Sequence, residues 1–290
     1  MTRTFGAVCY DETARLARSL PHFRGKWQVV EFLNRALLPL RGAANDLCTV
    51  RMKDGSLMTW NLRDPAEGRA AWLGLYDDFM RDAIFAELHA GAVIVDVGAN
   101  VGAWTVPMAR RRDIAGHVYA FEPVPANRRR LDQAIAANAL SNVTVSAFAL
   151  GDSSREVDMW LKSGQTGADS GTAAVVPAGE GHLTVTMCPL DDWAERTQLA
   201  RLDFIKIDVD GAEFMVLAGA ERVVARFRPL ILAEFDEYWI STHGRSAMDV
   251  TAWARTHDYR MLGWKRRRRR FELSDAPDGD DMLLVPAERA

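Results

Sequence analysis

Val93-Ile94-Val95-Asp96-Val97-Gly98-Ala99-Asn100-Val101-Gly102 is the stretch that decides the fold of this chain. An apolar run ends in an acid, a glycine-bearing loop follows, and helical sequence resumes at about 102–112. Strand, glycine loop and helix in this order build the place where nucleotide-like ligands sit, at the carboxyl end of a strand. Similar apolar runs recur at Val118–Phe121, Val143–Leu150, Phe204–Ile207 and Leu230–Phe235, separated by helical stretches at about 125–138, 213–227 and 247–257. Continuous apolar strands alternating with helices require a parallel sheet covered on both faces, an α/β architecture. Val157–Leu161 and Leu183–Cys188 add two strand-like pieces around a Gly/Thr/Ser-rich stretch at 163–181, which reads as a lid or substrate loop. Arg260–Trp264 and Met282–Val285 read as an antiparallel pair at the sheet edge. No internal repeat is visible.

Upstream, residues 10–42 read as helical with a break at Pro21. Alternating apolar residues on either side of Asp54-Gly55 predict a hairpin. A two-residue turn would place the apolar sets of its arms on opposite faces. An odd-length loop, Asp54-Gly55-Ser56, pairs Met52 with Met58, Val50 with Trp60 and Cys48 with Leu62. Helical periodicity returns over Arg69–His89, with Trp72, Tyr76, Phe79, Ile84 and Leu88 expected inside. The expected division is an N-terminal helical and hairpin extension, 1–90, and a ligand-binding domain, 91–290.

Charge selects the ligand. A dinucleotide loop needs G-x-G-x-x-G to bring backbone amides to a pyrophosphate. Here Asn100 replaces the middle glycine, and Asp96 at the loop mouth would repel a pyrophosphate. The ammonium and sulfonium of S-adenosylmethionine would be attracted to it. Gly98 and Gly102 let the methionyl part approach the backbone. Glu122, twenty residues after Gly102, stands at the tip of the next strand, where a carboxylate takes both ribose hydroxyls. Ala149, near the end of the third strand beside Phe148, would border the adenine.

The segment Phe204-Ile205-Lys206-Ile207-Asp208-Val209-Asp210-Gly211-Ala212-Glu213 is the second informative constellation. Alternation puts Lys206, Asp208 and Asp210 on one side of an extended strand. Glu213 reads as a cap of the helix that follows. Asp208 points toward the reacting centre.

Together these segments resemble the FkbM family of methyltransferases over roughly residues 45–287. The resemblance rests on Val95–Gly102, Phe121-Glu122-Pro123, Ala149-Leu150-Gly151, Leu190-Asp191, Lys206–Glu213 and Glu234. It implies a Rossmann-like class I methyltransferase fold with a seven-stranded, mostly parallel sheet and helices on both faces. It also implies S-adenosylmethionine as donor and methylation of a hydroxyl on a sugar or secondary metabolite. Asp96, Gly98, Asn100 and Glu122 match the family's cofactor positions, whereas the family commonly carries Glu at the position of Asp210.

Transfer to an alcohol needs a general base. Asp208 is the first candidate, then Glu234 at the end of the fifth strand, then His182 or His243 from the loops. Alternatively Asp208, Asp210 and Glu234 could hold a divalent cation that acidifies the hydroxyl. Two other functions compete with small-molecule or glycan methylation: methylation of RNA or another macromolecule through the Lys265–Arg270 run, and a cofactor-binding scaffold without chemistry. The run is followed by Glu272, Asp275, Asp278, Asp280 and Asp281, so a solvated hairpin of screened pairs accounts for it. A net charge of -3 provides no global attraction for nucleic acid. The absence of an Asn-Pro-Pro-aromatic segment argues against methylation of base amino groups. Three scattered cysteines form no disulfide framework or metal pair, and no apolar run approaches membrane-spanning length. The expectation is a cytoplasmic enzyme with no membrane span and no dedicated metal.

Overall fold

The computed structural model describes residues 5–21, 23, 25–41, 46–161, 173–177, 179–246, 248–277 and 281–289. The chain divides into two compact units, Met1–Asp78 and Phe79–Ala290. The 79–90 segment thus goes with the larger unit.

In the first unit, helices α1 (Phe5–Ser19) and α2 (Lys26–Leu37) precede a hairpin of β1 (Leu47–Arg51) and β2 (Leu57–Asn61) and helix α3 (Pro65–Leu73). Trp72 is fully buried and its indole N–H donates to Tyr10 Oη at 2.6 Å and Asn34 Oδ1 at 3.0 Å, tying three helices together. The hairpin loop is odd in length, as expected, but the register differs by two residues: Val50 pairs with Met58 and Cys48 with Trp60. Asp54 Oδ1 accepts from the Ser56 amide at 2.8 Å and the Ser56 hydroxyl at 2.6 Å. This Asx-type turn draws the closing pair back to Met52 and Ser56, whose backbone bond is 2.8 Å, and a shift of two keeps every side chain on its face. The helix expected over 69–89 is interrupted, because Gly74 (φ 67) caps α3 in the left-handed conformation.

In the second unit, α4 (Asp78–Phe85) leads into β3 (Ala92–Val97), α5 (Thr105–Arg110), β4 (Ala115–Phe121), α6 (Pro125–Ala137) and β5 (Val143–Ser146). There follow β6 (Ala149–Leu150), β7 (Arg155–Leu161), β8 (Ala173–Val176), β9 (Leu183–Cys188) and α7 (Leu190–Arg196). The chain continues through β10 (Phe204–Ile207), α8 (Glu213–Ala218), α9 (Glu221–Phe227), β11 (Leu230–Glu234), α10 (Glu237–Ser241) and α11 (Met248–Thr256). It ends with β12 (Tyr259–Lys265), β13 (Arg270–Leu273) and β14 (Asp281–Pro286). The main sheet runs β13-β12-β14-β11-β10-β3-β4-β5. Its five consecutive strands from β11 to β5 are mutually parallel, and β14, β12 and β13 pair antiparallel. These are the seven strands expected of the class I fold, with β13 added at the edge. Phe204, Ile205, Lys206 and Ile207 are all buried, which explains why β10 reads as a continuous run.

The run Val143–Leu150 is not one strand. β5 stays in the main sheet, whereas β6 joins a second sheet, β6-β9-β7-β8, that buries Val157, Met159, Leu161, Val185 and Met187. Most of the 163–181 stretch, and with it the lid reading, lies outside the described residues. Its end forms β8, paired antiparallel with β7. The expected helix 213–227 is two helices. A Cβ at Gly219, between them, would lie 1.9 Å from the Gly151 carbonyl oxygen, a close approach that only glycine permits.

The arginine run forms the turn between β12 and β13. Arg268 and Arg270 pair with Glu272 at 2.7 Å, and Arg269 lies 3.6 Å from the Phe79 ring centroid. Asp278 and Asp280 lie outside the described residues. No described helix is long and apolar enough to cross a membrane.

Candidate functional site

The site assembles where β3, β4, β10 and β11 end side by side at their carboxyl termini. Leaving β3, the chain adopts left-handed conformations at Gly98 (φ 77), Asn100 (φ 49) and Gly102 (φ 90). A Cβ on Gly98 would lie 1.9 Å from the Asp208 carbonyl oxygen. Gly98 is therefore needed for the contact between the exits of β3 and β10, beyond any approach of a ligand. Gly102 lies against Leu131 of α6, 2.7 Å from where its Cβ would be.

Asp96 is wholly buried. Its Oδ2 accepts the Thr105 hydroxyl at 2.5 Å, and its Oδ1 has no partner. Burial pushes its carboxyl upward, and the nearby Lys206 ammonium opposes this. Asn100 donates its backbone N–H to Glu122 Oε2 at 2.8 Å, while its side-chain Oδ1 is buried and unpartnered. Two acceptors without donors thus flank the glycine loop.

Glu122 follows β4 and is 4% exposed. Its Oε1 accepts from the Val124 amide at 2.8 Å, and the Asn127 side chain adds a third donor. Burial nevertheless raises its carboxyl to about 7. A carboxylate offers about four acceptor positions, so capacity remains for a ligand hydroxyl. The backbone bonds also give Glu122 the task of holding the glycine loop against the exit of β4.

At the exit of β10, Lys206 is 5% exposed and is the register neighbour of Asp96 across the sheet. Its ammonium meets Asp208 Oδ2 at 2.8 Å and lies 5.6 Å from the Trp104 ring centroid. Burial would lower its pKa, but Asp208 and Asp96 outweigh this and the net shift is upward. Asp96, Lys206 and Asp208 therefore form one charge cluster carrying two carboxylates and one ammonium. The attraction for a cation expected of Asp96 alone belongs to this trio. Asp208 is 39% exposed at its side chain, and no described residue donates to its Oδ1.

Asp210 adopts φ 47 and its Oδ2 accepts the Ala173 amide of β8 at 3.1 Å. Burial and Asp208 raise its carboxyl to about 7. Glu213 Oε1 accepts from the Val209 and Gly211 amides at 3.3 and 3.2 Å. It braces the loop after β10 in addition to opening α8. Glu234 ends β11 with an exposed side chain, directly opposite Asp281 of β14. Partial desolvation and the charges of Asp208, Asp281 and Asp210 shift its carboxyl upward.

The histidines separate. The His182 ring nitrogen Nδ1 accepts from the Leu161 amide at 3.2 Å, a structural bond within the second sheet. His243 is half-buried beside Gly211, its Nε2 has no partner, and burial lowers its pKa. Among the described residues no group of three His, Cys, Asp or Glu side chains is arranged to hold a metal ion, Asp208, Asp210 and Glu234 included. Ala149 sits on β6 rather than at the tip of β5, buried with Val124, Val157 and Met187. Phe148 packs against the main core beneath Arg196, 6.0 Å from its ring centroid.

Residues 96–261 match the methyltransferase FkbM domain family. The chain belongs to the FkbM methyltransferase family. The matched span begins at Asp96 and contains every site residue named above. Among curated proteins the chain is similar to the AMB antimetabolite synthetase AmbE of Pseudomonas aeruginosa, 28% identical over 228 residues, covering 63% of this chain and 11% of AmbE. It is also similar to the 2-O-methyltransferase NoeI of Sinorhizobium fredii, 26% identical over 158 residues, covering 50% of this chain and 63% of NoeI. The chain thus spans less than two thirds of the length of either relative. Among solved structures, an FkbM methyltransferase from Methylobacillus flagellatus KT aligns at TM-score 0.47 and 17% identity, covering 96% of this chain and 58% of that one.

Within the FkbM frame, two site features carried no sequence signal. Thr105, the donor to Asp96, and Trp104, above Lys206, lie on the helix side of the glycine loop, where a core reading suffices. The family segment Leu190-Asp191 has a structural role: Asp191 accepts from the Arg222 and Val223 amides at 2.9 and 2.8 Å and caps α9 from a distance.

Proposed function

We propose that this FkbM-family chain transfers the methyl group of S-adenosylmethionine to a hydroxyl of a sugar, glycan or secondary metabolite. The observation that carries the cofactor assignment is the pair of buried, unpartnered acceptors, Asp96 Oδ1 and Asn100 Oδ1, beside the glycine loop. Buried acceptors without donors are costly unless a ligand supplies the donors. An ammonium does so, and a pyrophosphate cannot. Asp96, Asn100 and the backbone at Gly98 and Gly102 would hold the methionyl end, and Glu122 the ribose. S-adenosylmethionine supplies an electrophilic methyl group on a positively charged sulfur.

The chain's own residues handle the acceptor. Lys206 fixes Asp208 through Oδ2, leaving Oδ1 to accept the hydroxyl hydrogen and orient the oxygen in line for attack. As the oxygen attacks, that hydrogen passes to Asp208 Oδ1 as general base; Glu234, whose carboxyl is shifted upward, is the second candidate for the same role. The relative NoeI is named a 2-O-methyltransferase, which supports a hydroxyl acceptor. Arg268 and Arg270 share the single carboxylate of Glu272 and Arg269 lies over the Phe79 ring, so the run is held as a hairpin turn with partners of its own.

The test is transfer of labelled methyl from S-adenosylmethionine to a panel of hydroxylated metabolites, glycosides and glycans, with and without chelator. The expected product is a methyl ether formed in either condition. Labelling confined to RNA or protein, or no transfer to any acceptor, would overturn the assignment.

A further inference from the structure

We propose that Trp160, Trp239 and His182 form the acceptor subsite, a platform for the ring of a neutral sugar with one hydroxyl turned toward Asp208. This rests on the O-methyl transfer reading and specifies where its acceptor lies.

Two independent contacts tie the platform to the loop after β10. From one side, the Ala173 amide donates to Asp210, and the next residue, Ala174, is the register partner of Trp160. From the other, α10 presses on the loop: a Cβ on Gly211 would lie 2.7 Å from the Trp239 carbonyl oxygen. Asp236 caps α10 by accepting from the Tyr238 and Trp239 amides at 2.8 and 3.2 Å, which fixes where Trp239 starts.

The ring centroids of Trp160 and Trp239 lie 6.5 Å apart, and those of Trp160 and His182 lie 6.2 Å apart. These spacings are at the loose end of aromatic contact. Both tryptophans are only partly buried, whereas Trp60, Trp72 and Trp193 are enclosed in cores. Neither the Trp160 nor the Trp239 indole N–H donates to another described residue. Along β7, Val157, Met159 and Leu161 face the core, so Trp160 occupies the opposite face. That face is polar where it continues: Asp158 accepts from Thr184, and Glu156 from Thr186, each at 2.7 Å.

A pyranose has an apolar C–H face and a rim of hydroxyls. Tilted aromatic rings match the first, since the electron-rich ring face attracts C–H groups. Indole N–H groups that no described residue engages, and the carboxylates beyond them, match the second. Asp208, Asp210, Glu234 and Asp236 lie close enough at this end of the sheet to act on one another, with the Lys206 ammonium among them. Such a field disfavours phosphorylated or otherwise anionic acceptors and leaves a neutral ring as the fitting ligand.

The experiment compares wild type with Trp160→Ala, Trp239→Ala and Trp160→Phe, each loaded with S-adenosylhomocysteine. Binding is read on a glycan array and by titration with neutral methyl hexosides and deoxyhexosides, and affinity for S-adenosylhomocysteine is measured on the same samples. The alanine variants are expected to lose roughly tenfold or more in glycoside affinity, with Trp160→Phe close to wild type and cofactor affinity unchanged in all. Glycoside binding that is equal in wild type and both alanine variants would overturn the platform while leaving O-methyl transfer standing. Binding of S-adenosylhomocysteine and RNA, with no glycoside bound by wild type, would overturn the acceptor assignment and the platform with it.

Discussion

Asp96, Glu122 and Lys206 illustrate how a charge recognised in a sequence changes meaning once its neighbours are known. Asp96 was legible as an acid at a strand end, but the ammonium that shares its charge is brought alongside only by the pairing of β3 with β10. Asp96→Asn keeps the shape and removes the charge, so affinity for S-adenosylmethionine should fall roughly ten- to hundredfold by calorimetry. An unchanged affinity would contradict the role given to Asp96. Glu122 is poised near 7 without ligand. Ribose hydroxyls donating to it favour the ionised form, so S-adenosylhomocysteine binding near neutral pH should release a fraction of a proton. Heats of binding that do not vary with buffer ionisation enthalpy would count against that contact. The same groups set a pH dependence of stability. Glu122, Asp210 and Glu213 all have folded values raised to about 7 from ordinary values of 4.5 or 3.8. Their neutral forms suit the fold, so their contribution is full below the ordinary values and is lost as pH rises through about 7. Melting temperature of the ligand-free protein should therefore decline between about pH 5 and about pH 8. A rise across that interval would refute the burial argument.

The elements most legible in the sequence were those whose side chains are buried on both faces. β3, β4, β10 and β11 read as unbroken apolar runs because helices and loops cover them. β13 and α10 escaped notice because they are short and half-exposed, and the break after β5 because Phe148 prolongs its apolar run. The hairpin of β1 and β2 was legible in its facing but not in its register, because a side chain bond from Asp54 sets the loop. Site geometry was hidden for a related reason. Gly98 was legible as a loop glycine, yet what it accommodates is the backbone of Asp208, more than a hundred residues away in sequence. Gly98→Ala meets both the left-handed backbone and the 1.9 Å contact, so it should cost about 3 kcal/mol or more. Chemical denaturation would read this directly. A variant as stable as wild type would show that the two strand exits can part without penalty.

At the scale of the molecule, 36 basic residues against 39 acidic ones give no net pull toward polyanions, and the densest basic run is a hairpin turn with an internal partner. Replacing Arg266 and Arg267 with alanine should leave methyl transfer unchanged. Transfer should also vary little between about 50 mM and about 300 mM salt, whereas a nucleic acid acceptor would lose orders of magnitude in affinity. The central claim concerns the ligand of the Asp96–Gly102 loop, and the most direct test is titration calorimetry of the full chain with S-adenosylmethionine, S-adenosylhomocysteine and NAD. The account predicts saturable binding of the first two and none of the third, with Asp96→Asn weakened. Binding of NAD alone would contradict it.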